Sequence, residues 1–163
     1  MNMNILFCVL IGYFFGNILT AEIVAHIAAG KSAYDIGTSH NPGMANIMAY
    51  VGFVPGLITL AGDFLKCLLG ALLAYRLFAG AGLGWSATLW AGLGVTLGHD
   101  FPFWKGFRGG QGGATTCAAI TIFSPVIGIA SMIIGMLVVF ATNLLSLGGV
   151  AIPLAFALIC LIC

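Results

Sequence analysis

The chain has 163 residues, 61% of them hydrophobic and 6% charged, with a formal net charge of +1 and a mean hydropathy of +1.16. Soluble domains carry about 25% charged residues, and a soluble chain of this length must still cover its surface with polar side chains. The composition therefore excludes a soluble domain, and the small net charge excludes the broad basic face that nucleic acid requires. Lipid is the solvent. The expected fold is all-α, a polytopic bundle of transmembrane helices forming one integral membrane domain over residues 1–163.

A helical span needs about 20 mostly apolar residues, and about five stretches qualify. The first is 5–28; it has no cationic start and no small-residue cleavage site, so it reads as a retained span and not a signal peptide. The second is 51–78, interrupted by Asp63 and Lys66. The third, 83–97, is short. The fourth is 116–141 and the fifth 144–163. Pro55, Pro125 and Pro153 fall near or inside these spans, where local kinks are tolerated. The pairs Gly12/Gly16, Gly52/Gly56 and Gly94/Gly98 have the small-xxx-small spacing that lets helix backbones approach closely. The cysteines sit in or beside apolar runs and read as small apolar residues; Cys160 and Cys163 have C-x-x-C spacing but no neighbour that would activate a thiolate.

Ionisable groups are costly in a bilayer unless paired or turned to a cavity or interface, so the few here are informative. Asp63 and Lys66 are three apart on one helical face and are expected to pair as a membrane ion pair. Glu22 and His26, four apart, are expected to touch each other, and Tyr34 and Asp35 read as loop residues. Lys31 lies in the first loop, and Lys105 and Arg108 lie in the third. Five spans put these loops on one side, and positive charge favours the cytoplasm. The reading is a multi-pass cell-membrane protein with its N-terminus outside and its C-terminus cytoplasmic.

Two loops concentrate the polar residues. Residues 37–46 offer hydroxyls, the side chains of Asn41 and Asn46, and glycines that free the backbone. Such a loop before a helix can present N–H groups to an anion. Residues 98–116 contain His99, Asp100, a run of aromatics that suits the membrane interface, and Arg108 followed by Gly109, Gly110, Gly112 and Gly113. Arginine offers a forked phosphate contact and glycine a close backbone approach. The order of residues is not that of a Walker A loop.

Together these motifs resemble the bacterial acyl-phosphate:glycerol-3-phosphate acyltransferase family. Ser39-His40-Asn41-Pro42-Gly43-Met44-Ala45-Asn46 is similar to its Ser-Gly-Asn-x-Gly-Ala-Thr-Asn loop. Asp63-Phe64-Leu65-Lys66-Cys67 is similar to its Asp-x-x-Lys-Gly. Gly98-His99-Asp100-Phe101-Pro102 and the run from Phe107 to Thr115 are similar to its Gly-His-x-x-Pro and Phe-Lys-Gly-Gly-Lys-Gly-Val-Ala-Thr. The resemblance implies transfer of a fatty acyl group from acyl phosphate to the 1-hydroxyl of glycerol 3-phosphate. This gives lysophosphatidic acid, the first step of phospholipid synthesis, with no metal, no cofactor and no acyl-enzyme intermediate. It implies that His99, with Ser39 and Asn46, serves catalysis. It further implies that Ser39, Asn41, Gly43, Asn46, Lys105, Arg108, Gly109, Gly110 and Gly112 hold the phosphates. The expected partners are glycerol 3-phosphate, acyl phosphate and membrane lipid.

The chain departs from the family pattern in three places. The family's arginine after the first motif falls on Ala49, and its lysine in the third motif falls on Gln111. Its C-terminal His-Arg-x-Asn-Ile segment has no counterpart. The chain thus reads as a diverged or C-terminally truncated member. Rival readings are a weak or inactive relative that binds lipid or partner helices, and a small transporter built around Asp63 and Lys66. A transporter should show inverted repeats, and no convincing repeat is present.

Overall fold

The computed structural model describes residues 3–162; Cys163, and with it the C-x-x-C spacing, lies outside them. Among these residues the regular structure is helical: α1 (Met3–Gly16), α2 (Thr20–Ala29), α3 (Met44–Tyr50), α4 (Phe53–Phe78), α5 (Ser86–Asp100), α6 (Gly113–Phe123), α7 (Pro125–Thr142) and α8 (Leu145–Ile162), with short 3-10 turns at Ala33–Asp35, Ala79–Ala81 and Phe103–Lys105. Four stretches are long and apolar enough to cross a membrane: Met3–Ala29, Phe53–Ala81, Pro125–Thr142 and Leu145–Ile162. The protein is a multi-pass helical membrane protein.

Two expected spans are broken helices. The first breaks at Asn17–Leu19, where Leu19 is extended (φ −82°, ψ 91°). Helix breaks at membrane depth are tolerated where other groups satisfy the freed backbone, and here they do. Trp104 Nε1 donates to Asn17 O at 2.9 Å, and Lys66 Nζ donates to Ile18 O at 3.0 Å. The Asn17 side chain donates to Tyr13 O at 2.7 Å and accepts from Phe103 N at 3.0 Å. The expected fourth span, 116–141, divides into α6 and α7 at Ser124, which is extended (φ −145°) because Pro125 follows it and opens α7. The short third stretch is α5, 15 residues, about 22 Å at helical rise.

Glycine packing holds α5 in place. A Cβ on Gly12 would clash with Ala91 O and one on Gly16 with Val95 O; in return a Cβ on Gly94 would clash with Val9 O and one on Gly98 with Tyr13 O. The two small-xxx-small pairs therefore zip α1 to α5 along their length. The third pair behaves differently. Gly56 packs on Met48, whereas Gly52 has φ +140°, meets only the Pro55 ring at ordinary contact distance and serves the turn into α4. Most of α7 and α8 presents leucine, isoleucine and valine outward, as a lipid-facing hairpin should.

Candidate active site

α4 and α5 bring three ionisable side chains together in the interior. Asp63 and Lys66 are one turn apart on α4, and Lys66 Nζ lies 2.8 Å from Asp63 Oδ1, with both side chains buried. The expected pair exists, although neither carboxylate oxygen receives a well-directed hydrogen bond among the described residues. His99, at the C-terminal end of α5, joins the pair: its Nδ1 is 2.9 Å from Lys66 Nζ and 3.9 Å from Asp63 Oδ1. An ammonium has only donors. His99 therefore accepts at Nδ1 and carries its proton on Nε2.

The third loop folds back over that imidazole. Gly109 N donates to Asp100 O and Gly110 N to His99 O, each at 2.9 Å. A Cβ on Gly110 would sit 2.1 Å from His99 Nε2, and one on Gly109 2.0 Å from His99 O. These glycines, expected at a phosphate, spend their N–H groups on α5, and their lack of a side chain lets the loop lie on the histidine. Gly110→Ala should push the imidazole off Lys66 and lower stability by about 1–3 kcal/mol, as overpacking does. Thermal unfolding in detergent checks this, and an unchanged midpoint would mean that the imidazole yields freely.

Gly112 follows in the left-handed region (φ +66°) and opens α6. Its backbone lies against the Asp100 carboxylate. Thr115, fully buried, turns its hydroxyl back to Gly112 O at 3.0 Å. The first-turn N–H groups of α6 have no helical carbonyls to bond. Arg108 and Gln111 are exposed beside this helix end, and among the described residues no carboxylate pairs with the Arg108 guanidinium.

The first loop is organised by Asn46. Its amide is buried, donates to Ile36 O at 2.9 Å and Ala33 O at 3.4 Å, and accepts from Ser39 Oγ at 3.1 Å. Asn46 thus holds the turn, and Ser39 is the exposed hydroxyl. Asn41 Oδ1 is buried without a hydrogen-bond partner, while its carbonyl accepts from Gly43 N at 2.8 Å. Ala49, where the family's arginine falls, is exposed on α3 one turn beyond Asn46.

Two contacts that sequence reasoning missed tie the loops together. Tyr34 Oη donates to Arg108 O at 2.5 Å. Burial, and then the negative Glu22, push this hydroxyl up to about 12, so it keeps its donor proton at any ordinary pH. Lys105, expected at a phosphate, instead lies 2.7 Å from Glu22 Oε1 and over the Tyr34 and Trp104 rings at 5.2 and 5.1 Å. Glu22 also accepts from Ser32 Oγ at 3.0 Å and from Ala33 N at 2.8 Å. The expected Glu22–His26 contact is mainly to backbone, with His26 Nδ1 2.8 Å from Glu22 O and 3.9 Å from the carboxylate. A carboxylate in an apolar helix and a lysine in a distant loop were each visible in the sequence; their pairing was not.

The fold and site define a helical membrane protein in which a glycine-rich loop folds over a buried Asp–Lys–His cluster and is joined to the first polar loop's side through Tyr34 and Arg108. The sequence model of glycerol-3-phosphate acyltransferase matches residues 6–163, and the chain belongs to that family. Glycerol-3-phosphate acyltransferase 1 of Lactobacillus johnsonii is 40% identical over 148 residues, covering 91% of this chain and 70% of that protein. The enzyme of Alkaliphilus metalliredigens is 34% identical over 145 residues, covering 89% and 71%. Among solved structures, PlsY (YgiH), an integral membrane glycerol 3-phosphate acyltransferase, superposes in its glycerol 3-phosphate form with a TM-score of 0.81 and 28% identity, covering 97% of this chain and 76% of that one. Its lysophosphatidic acid form gives a TM-score of 0.79 and 26% identity. Family membership selects the acyltransferase over the transporter.

Proposed function

We propose that this chain transfers a fatty acyl group from acyl phosphate to the 1-hydroxyl of glycerol 3-phosphate, giving lysophosphatidic acid and inorganic phosphate. The hydroxyl oxygen bonds the acyl carbon, the bond from that carbon to the phosphate oxygen breaks, and the hydroxyl proton ends on phosphate. The observation that carries the reading is the buried His99 imidazole, fixed by Lys66 on one nitrogen and overlaid by the third loop on the other, in a chain of this family. The relatives' names, and the two ligand forms of PlsY, support glycerol 3-phosphate as acceptor.

Within this reading the expected residues divide by role. His99 donates from Nε2 to an oxygen that gains negative charge during transfer, which requires Gly110 to lift from that nitrogen, and Asp63 and Lys66 hold it in that tautomer. Arg108, Ser39, Asn41 and the Gly112 end of α6 contact phosphate, favoured by the open N–H groups and dipole of that helix. Asn46, Gly43, Lys105, Gly109 and Gly110 act by shaping the loops. An apolar groove of about 390 Å³ between α5, α6 and α8, lined by Leu89, Trp90, Leu93, Ile120 and Pro153 with Thr96 and Thr116, suits the acyl chain. The test uses membranes of a host lacking its own enzyme. Labelled glycerol 3-phosphate should enter the lipid fraction when acyl phosphate is supplied, and a requirement for a different acyl donor would overturn the donor assignment.

The orientation belongs to the same reading. The Tyr34–Arg108 and Glu22–Lys105 contacts join both polar loops at one end of the bundle, so the basic residues of both favour a cytoplasmic face. Thr38→Cys and Gln111→Cys, each in a cysteine-free background, should resist an impermeant maleimide in intact cells and react after lysis. Labelling of either in intact cells would reverse the topology.

A further inference from the structure

His40 stands in the first loop where the family pattern has glycine. Its backbone is left-handed, φ +50°, a region that glycine enters freely and most other residues avoid. The side chain is exposed, so core packing does not hold it there. Its Nδ1 lies 2.7 Å from Tyr34 O. A carbonyl only accepts, so Nδ1 carries a proton, and Nε2 is the ring's uncommitted edge. Tyr34 is the residue whose hydroxyl binds Arg108 O. The imidazole is thus anchored on the turn that joins the two polar loops. The same chain lacks two of the family's cations, at Ala49 and Gln111.

We propose that His40 is a phosphate-binding residue of this chain, presenting Nε2–H of its imidazolium to the anion held by the first loop. The inference rests on the acyltransferase reading above. With Nδ1–H committed to Tyr34 O, the neutral ring would offer only a lone pair at Nε2 and repel a phosphate oxygen, so binding uses the protonated form. The charged and titratable groups around this turn are Tyr34 and Asp35, Lys31 and Tyr50 beside Gly37, then Lys105 and Arg108 of the third loop, with Glu22 behind Lys105.

The test is equilibrium binding of labelled glycerol 3-phosphate to the purified full chain in lipid vesicles, at pH 6 and pH 8, for the parent and His40→Gly. Glycine relieves the backbone, so thermal stability should stay equal or rise. Affinity should fall about 5- to 20-fold at pH 6, in the range of one charge-assisted hydrogen bond. The parent-to-variant ratio should shrink toward 1 on going from pH 6 to pH 8, because a neutral ring turns only the Nε2 lone pair to the anion. Equal affinities at pH 6, or a ratio independent of pH, overturn the role of His40 and leave the acyltransferase reading standing. Absence of binding by the parent overturns both.

Discussion

Asp63→Asn should destabilise the protein by about 3–5 kcal/mol, the usual result of breaking a buried ion pair from one side. Lys66 is 3% exposed and Asp63 1%, so no water reaches the ammonium to replace the carboxylate. Its remaining partners, Ile18 O and His99 Nδ1, supply lone pairs but no formal charge. For a chain of this size the change corresponds to a fall of roughly 6–20 °C in the unfolding midpoint. Asp63→Asn combined with Lys66→Met should recover much of that loss, since the pair is then removed together. Thermal unfolding in detergent reads both variants. A double variant no more stable than the single would show that the two residues do not compensate each other.

His99→Ala should lower acyl transfer by about 10²–10³-fold, the range that one positioned hydrogen-bond donor to developing charge supplies. The geometry makes a sharper claim through a second substitution. The hydrogen-bonding role falls to Nε2, because Nδ1 is taken by Lys66. A glutamine places an amide nitrogen near that position and donates without ionising, so His99→Gln should retain more activity than His99→Ala. Steady-state rates at saturating substrates separate the two. Equal loss in both variants would contradict donation from Nε2.

Much of the fold was legible in the sequence because lipid imposes a simple rule. Long apolar runs must be helical, and the runs expected from residues 51 and 144 onward appear as α4 (Phe53–Phe78) and α8 (Leu145–Ile162). The first run hid its break. Nothing in Asn17-Ile18-Leu19 signals a helix end; the break persists because Trp104, Lys66 and Phe103, all distant in sequence, bond the freed groups. The division at Ser124 was readable in principle, since Pro125 pushes its predecessor out of helix, but the unbroken apolarity on both sides masked it. The Asp63–Lys66 pair was legible because helical spacing alone brings it together.

The site was legible as a set of residues and less so as a set of contacts. Ser39, Asn46, His99 and Arg108 stood out because polar residues are scarce in this chain. Spacing does not say which N–H groups a loop consumes internally. Gly109 and Gly110 bond the end of α5, Asn46 closes its own turn, and Lys105 answers Glu22 of α2. Tyr34 looked like an ordinary loop residue, and only the folded chain shows its hydroxyl on the Arg108 carbonyl.

The central claim meets its most direct test in a purified, vesicle-reconstituted preparation given acyl phosphate and labelled glycerol 3-phosphate. Labelled lysophosphatidic acid and an equal amount of released inorganic phosphate should form, and both should be lost together in His99→Ala. No labelled lysophosphatidic acid above the His99→Ala background, from a preparation that is folded and binds glycerol 3-phosphate, would contradict it.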